Sequence, residues 1–542
     1  ITLGNLTIPG TINLNIGGPI NINGDVKNTT GNFTLRGTTT VAPGKNIQCA
    51  GNFTQNGNIT FKSDATGTAA FGTLGGTYTT SGTVTVERYI PAKRAFRFLS
   101  PSVTTTTSIR VNWQNNGTNT AGLGTHITGT GGATNGFDVT ATNNPSLFTF
   151  DNGAWSAVTN TNVNVLTAGT PYRLMVRGDR TTDLTSNTSS ATATTLRATG
   201  TLKTGNFTPT LNQSADGFSL IGNPYQAPID IKAILTASTN MSSNVVYYWD
   251  PTLNARGGYV TRNLTTDVND VVTSSFNQYV QPGQAVFVKK DNTANVPTMT
   301  ITEANKSVAN ASAGVFRNTN TSTDFGLLRV NLQANNQTIE GALALFNDNY
   351  TWNVTSEDAT KMSNLDEEVS FVQNNTNLAI ALQSTPSATS ELPIKIDKMR
   401  HTNYQWQFEL NNYSGATPYL FDTLNNSYTQ INNGTVVPFT VDSTTTNRFK
   451  IVFQNGVLSN ATFDNELAIY PNPAKSGASF YVDGITEATV TVYNLLGQTI
   501  PVQTKSEGTT LQVTPNTNLS QGVYLVNITS KGTTQQVKWI VE

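Results

Sequence analysis

A four-residue theme recurs through residues 1–86 and limits what this stretch can fold into. Gly4-Asn5-Leu6-Thr7, Gly31-Asn32-Phe33-Thr34, Gly51-Asn52-Phe53-Thr54 and Gly57-Asn58-Ile59-Thr60 share it, and Gly76-Thr77-Tyr78-Thr79 and Gly82-Thr83-Val84-Thr85 are variants. A glycine turn followed by a short alternating strand has one apolar face and cannot bury it alone. Units of this kind gain a core only by stacking on one another, which is the logic of a β-solenoid. The spacing is irregular, so a run of hairpins is the competing arrangement. Ladders of Thr and Asn suit stacking in either case.

The rest of the chain carries the same β signature. Charged residues make up 12%, about half the usual share, so Thr, Asn, Ser and Gln supply the polar surface. Thr favours strands, and Asn and Gly favour turns. Residues 87–312 open with Arg88-Tyr89-Ile90-Pro91 and Arg94-Ala95-Phe96-Arg97-Phe98-Leu99. They continue through Ile221-Gly222-Asn223-Pro224-Tyr225 and Tyr248-Trp249-Asp250-Pro251, and close near Gln281 to Val288. Alternation places Phe96 and Phe98 on one strand face, with Arg94 and Arg97 placed to pair or stack. Residues 104–146 are rich in Gly, Asn and Thr and predict a long loop. Residues 313–455 contain alternating runs at Phe325–Leu332, Gly341–Phe346, Leu378–Leu382 and Arg448–Phe453, the pattern of a β-sandwich. Residues 456–466 are a small polar linker, and 467–542 form a last compact antiparallel sandwich. Helix is expected only in short pieces near Ile231–Ala237 and Glu357–Ser363. The fold class is therefore all-β: N-terminal β-solenoid-like or hairpin repeats, two β-sandwich-like units and a C-terminal Ig-like domain.

The last segment carries Tyr470-Pro471-Asn472-Pro473, Val492-Tyr493-Asn494-Leu495-Leu496-Gly497-Gln498, Gly522-Val523-Tyr524-Leu525-Val526 and Lys538 near the terminus. In order, spacing and terminal position it closely resembles the type A sorting domain of the type IX secretion system of Bacteroidetes-like bacteria. The resemblance implies sorting-motif roles for Tyr470, Pro471, Asn472, Pro473, Val492, Tyr493, Asn494, Leu496, Gly497, Gly522, Tyr524 and Lys538. It also implies passage through the periplasm and export across the outer membrane as a folded passenger. The partners it implies are a shuttle barrel, a translocon and a sorting protease, followed by surface attachment or release. Cleavage is expected in the 456–466 linker, and the free edge of the last strand, Gln536–Val541, is an expected contact. Residues 87–312 resemble a segment common in large secreted Bacteroidetes surface proteins. Asp422-Thr423-Leu424 and Asp442-Ser443-Thr444 resemble the O-glycosylation pattern of such proteins, with Thr423 and Ser443 as candidate acceptors. The chain begins at Ile1 with no initiator Met and no signal segment, so it is expected to be a processed product or a piece of a longer precursor.

Little in the sequence suggests chemistry. The net charge is −1 with no basic run, which argues against a nucleic-acid footprint. Cys49 is the single cysteine, so no intramolecular disulfide can form. There are two histidines, His126 in a Gly/Thr-rich loop and His401 after Met399-Arg400, and both are expected to be ordinary surface or turn residues. No nucleophile elbow, metalloprotease helix, phosphate loop or dinucleotide fingerprint is present. Asp366-Glu367-Glu368 and the pair Asp267 and Asp270 have the oxygen chemistry of calcium ligands, but solvated acidic turns are the expected reading. Trp113, Trp155, Trp249, Trp352 and Trp406 are expected to anchor sandwich cores more than to form a sugar platform. The function expected is a non-enzymatic, adhesin-like protein with no cofactor and no metal site. A surface glycan or other cell-surface ligand would bind through loops or aromatic faces of residues 87–455. The competing reading is the non-catalytic C-terminal part of a secreted carbohydrate-active enzyme, or a carbohydrate-binding module.

Overall fold

The computed structural model describes residues 1–15, 18–186, 188–310, 325–441, 445–454, 468–485, 487–530 and 533–542. The linker 456–466, the acceptor Ser443 and the boundary at 312 and 313 lie outside the described residues. Strand accounts for 48% of the structure and helix for 5%, so the chain is all-β. It divides into two compact units, Ile1–Phe453 and Gln454–Glu542.

The repeats stack in parallel, so the hairpin alternative does not hold. Thr2–Leu3, Ile20–Ile22, Thr39–Val41, Ile59–Phe61 and Val84–Ile90 form one ladder, with Ile20 opposite Thr39, Thr39 opposite Ile59 and Ile59 opposite Val84. Leu6–Pro9, Val26–Thr30, Asn46–Cys49 and Ala70–Leu74 form a second face, and Ile12–Asn15, Phe33–Arg36, Phe53–Gln55 and Tyr78–Thr80 a third. Apolar residues fill the three-sided interior. Phe33 and Phe53 stack edge to face at 5.3 Å, and Phe53 lies 5.1 Å from Phe71.

The Gly-Asn theme now has a cause. Each Asn side chain accepts a backbone N–H from the next coil: Asn5 from Asp25 at 2.9 Å, Asn32 from Asn52 at 2.9 Å, Asn52 from Thr77 at 2.8 Å and Asn58 from Thr83 at 3.0 Å. Glycine is required at the corner because coils meet there backbone to backbone. A Cβ on Gly51 would lie 2.2 Å from the Gly31 carbonyl oxygen.

Val84–Ile90 ends the parallel stack by pairing antiparallel with Thr194–Leu202, and one hydrophobic core runs from Ile12 to Leu202. The segment 104–146 is irregular, with a short helix at Ile109–Asn112 and 3-10 turns at Asn115–Gly117 and Gly132–Asn135. It is nevertheless packed, since Ile127 and Phe137 are buried in that core. Beyond it lie a four-stranded sheet that includes Ala95–Leu99 and a five-stranded sheet in the order Phe218–Gly222, Ala285–Lys289, Val245–Asp250, Gly258–Asn263, Val268–Asn269. The helix Ile231–Ala237 is present, capped by Asp230, whose carboxylate accepts from Ala233 N–H at 3.1 Å. The helix expected over Glu357–Ser363 is not. Ala359–Thr360 pairs instead with Thr376–Gln383, and the Asp358 carboxylate accepts from Thr355 and Leu382 N–H at 2.7 Å each, which holds the segment in an extended turn.

Residues from Gly326 to Gln454 build one eleven-stranded sheet. Leu328, Val330, Trp406, Phe408 and Phe449 share a core on one face. On the other, Leu327, Leu343, Leu345, Ile380 and Leu382 pack with Tyr247, Trp249, Tyr259 and Phe287 of the five-stranded sheet. The C-terminal unit is a sandwich of two four-stranded antiparallel sheets around Phe480, Val492, Val526 and Trp539, with the Phe480 and Trp539 rings 4.6 Å apart.

Candidate functional site

The residues singled out in the C-terminal unit separate into three structural groups. Val492 and Tyr524 are buried in its core. Tyr524 donates its hydroxyl to the Ser520 carbonyl at 2.9 Å, and Gly522 starts a strand in register with Val541.

The second group shapes backbone. Asn494 Oδ1 accepts from Leu496 N–H at 3.0 Å and from Gln498 N–H at 2.9 Å, while Gly497 takes φ +80°, where a Cβ would be strained. Asn472 fixes the Pro471–Pro473 segment to the last strand, donating to the Lys538 carbonyl at 2.7 Å and accepting from Ile540 N–H at 2.8 Å. Trp539 Nε1 donates to the Pro471 carbonyl at 3.2 Å. Ala474 and Ile540 add a backbone bond at 2.8 Å. The expectation of a free last edge is therefore corrected around Lys538 and Ile540, where the proline segment already covers the strand.

The third group is exposed. Leu495 and Leu496 are 70% and 86% exposed at the tip of the Asn494 turn, and Tyr470 is 46% exposed. Tyr493 is half-buried, and the Lys538 side chain is exposed. Apolar groups left in water on a structured turn are the feature of this unit best suited to a protein partner.

A second site lies in the first unit, a pocket of about 380 Å³. Phe98, Trp249, Phe276 and Tyr279 line it together with Arg88, Arg97 and Asp250. Phe98 reaches it from Ala95–Leu99 and packs on Trp249 at 5.3 Å between ring centres. Asp250 is the one carboxylate among the lining residues, and no histidine lines it. Its oxygens are already taken: Oδ1 accepts from Thr252 N–H at 2.8 Å and Oγ1 at 2.6 Å, and Oδ2 from Ser274 Oγ at 2.8 Å. Arg97 donates to the carbonyls of Phe96 and Lys93, and burial, opposed by nearby Asp250, lowers its guanidinium to about 10, still charged at neutral pH. Arg88 donates to Thr68 Oγ1 at 3.4 Å and has no ion pair among the described residues.

The other predicted candidates are not brought together. His126 is 6% exposed rather than on the surface, with Nδ1 3.3 Å from Asp138. Arg180 grips Asp138 at 2.7 and 2.9 Å. Burial would raise the Asp138 carboxyl, but His126 and Arg180 hold it well below the usual range. His401 is exposed, 3.7 Å from Glu367. The Asp366–Glu368 run is buried rather than solvated. Asp366 pairs with Arg256 at 2.7 Å and with Arg400, and Glu368 with Lys398 at 3.2 Å. Asp267 pairs with Arg262 at 3.1 Å, and Asp270 is buried beside Lys361. Among the described residues no group of three or more His, Cys, Asp and Glu is placed to hold a metal ion. Trp113, Trp249 and Trp406 are core residues, while Trp155 and Trp352 are half-buried. Thr423 is exposed, and its hydroxyl donates to the Arg448 carbonyl at 2.8 Å.

Together these features define a secreted all-β protein with a sorting tail. Residues 468–542 match the secretion system C-terminal sorting domain, which makes the chain a type IX secretion substrate, exported across the outer membrane to the cell surface or the extracellular space. Over residues 3–453 it matches, and belongs to, a family described as a domain of unknown function, DUF8693. One curated relative, an endo-acting ulvan lyase of Formosa agariphila, is 29% identical over 82 residues, which is 15% of this chain and 16% of that protein's length. Among solved structures, a Lin-41 filamin domain covers 14% of this chain and 91% of its own length at 16% identity and a TM-score of 0.13. The BSP domain of a biofilm associated protein covers 84% and 92% at 10% identity and a TM-score of 0.12. At these scores neither likeness bears on fold or function.

Proposed function

We propose that this protein is a non-enzymatic, adhesin-like binding protein displayed on or released from the cell surface, and that it takes a glycan in the pocket around Phe98 and Arg88. The composition of that pocket carries the reading. The half-buried Tyr279 offers a ring for a sugar to pack on, Arg88 offers donors, and the single carboxylate is already occupied by Thr252 and Ser274. Glycoside hydrolysis ordinarily needs a carboxylate pair across the scissile bond. In this reading the tail engages the shuttle barrel and translocon through Tyr470 and Leu496, and a sorting protease cuts in the 456–466 linker.

A panel of soluble neutral and acidic oligosaccharides, titrated into the full chain, tests it. Binding without bond cleavage is expected, weakened about tenfold or more by Arg88→Ala through loss of charge-assisted hydrogen bonds. New reducing or unsaturated ends would contradict the non-enzymatic reading, and binding indifferent to Arg88→Ala would contradict the pocket. The ulvan lyase match, over 15% of this chain, leaves open a second reading, the non-catalytic C-terminal part of a carbohydrate-active enzyme. A catalytic domain in the same precursor would favour it.

A further inference from the structure

Three ionisable side chains meet in the dry space between the five-stranded and eleven-stranded sheets. Lys361 Nζ lies 2.7 Å from Glu340 Oε1 and 3.7 Å from Asp270 Oδ2, and none of the three side chains is more than 1% exposed. Glu340 sits mid-strand in Gln337–Phe346, Lys361 just follows Ala359–Thr360, and Asp270 just follows Val268–Asn269. Gly341 permits the approach, since a Cβ there would lie 3.0 Å from the Asp270 carbonyl oxygen.

The remaining atoms of the acids are held. Glu340 Oε1 also accepts from Gly341 N–H at 2.9 Å, and Oε2 accepts from the Asn364 amide. Asp270 Oδ1 accepts from Thr261 and Val271 N–H, both at 2.9 Å. Asp270 Oδ2, fully buried, has no hydrogen-bond partner among the described residues and faces the lysine. Two carboxylates and one ammonium would leave an uncompensated negative charge in an apolar interior, so one acid keeps its proton. Burial raises both carboxyls, with Lys361 opposing, and brings Glu340 to about 7.

We propose that Lys361 and Asp270 condense to an intramolecular amide, with Glu340 relaying the protons. The starting set is a Lys361 ammonium, a Glu340 carboxylate and an Asp270 carboxylic acid. The ammonium gives a proton to Glu340 Oε1. The freed Nζ lone pair attacks Asp270 Cγ. Glu340 returns its proton to the departing hydroxyl, which leaves as water, and takes the second proton from nitrogen. The products are one amide, one water and a protonated Glu340; atoms and charge balance without a co-reactant. Confinement supplies the geometry: Nζ and Oδ2 lie 3.7 Å apart, close to the separation of roughly 3–3.5 Å at which groups held together react as one molecule. The bond would tie the edge of the five-stranded sheet to the large sheet, a covalent staple in a chain whose single cysteine allows no internal disulfide.

The intact mass of the purified full chain tests the inference. A mass lower than the sequence mass by one water is expected. Trypsin should leave peptide 263–289 joined to 330–395, because an acylated Lys361 is no longer cut. Glu340→Gln should restore the full sequence mass with the circular dichroism of the native chain. An unshifted native mass, or a lost water mapped to other residues, overturns the proposal. Condensation persisting in Glu340→Gln overturns the role given to Glu340.

Discussion

Asn472 holds Lys538 in place, its amide bonded to the Lys538 carbonyl at 2.7 Å while its oxygen takes the Ile540 N–H at 2.8 Å. One side chain thus closes the last strand of the sorting domain against its leading segment. Asn472→Ala is expected to cost about 1–2 kcal/mol locally, the worth of such bonds when a partner is left unpaired. Hydrogen exchange on the full chain checks it. The amides of Ile540 and Ala474 should exchange about tenfold faster, while those of the solenoid stay unchanged.

Leu496 is exposed and makes no core contact, so Leu496→Asp should leave thermal stability within about 0.5 kcal/mol of native and still reduce the exported fraction. Fractionation of cells producing the variant measures this. Removing Lys538–Glu542 is a poorer test, because it deletes Trp539 and Val541, each 1% exposed, and dismantles the sandwich itself.

Gly51→Ala should destabilise the solenoid by about 1–3 kcal/mol or more, since the new methyl meets the Gly31 carbonyl. Gly153→Ala, with nothing nearer than 4.0 Å, is the control. Calorimetry should show a lower Tm for the first variant and little change for the second.

Asp138 and Asp366 respond to acid in the same direction. Burial raises each carboxyl, but Arg180 with His126, and Arg256 with Arg400, hold the folded values below the usual range. A depressed folded value contributes stability above the unfolded pKa of about 3.9, and that stability is lost as pH falls through and below it. Tm should therefore drop as pH falls below about 4, and Asp138→Asn should flatten part of that dependence at the cost of a lower Tm at neutral pH.

What could be read in the sequence was local. The Gly-Asn repeats and the strands around Val492 and Tyr524 follow from turn chemistry and alternation within a few residues. The choice of parallel coils over hairpins did not, because it rests on contacts such as Asn52 to Thr77, made between coils of unequal length. His126 looked exposed because its neighbours are polar, while Arg180, which grips the same Asp138 that His126 faces, comes from far along the chain. The Asp366–Glu368 run looked solvated for the same reason, as Arg256 lies 110 residues away. The Asp270, Glu340 and Lys361 cluster left one usable trace, a lone glutamate in the otherwise apolar run Ile339 to Phe346. A charge set among core residues predicts a buried partner but does not say which.

Residues 468–542, fused to an inert folded reporter, give the most direct measurement of the account. The fusion should appear on the cell surface or in the medium of a strain with an intact type IX system, and remain in the periplasm when the translocon is deleted. Equal surface display in both strains, or retention in both, would contradict it.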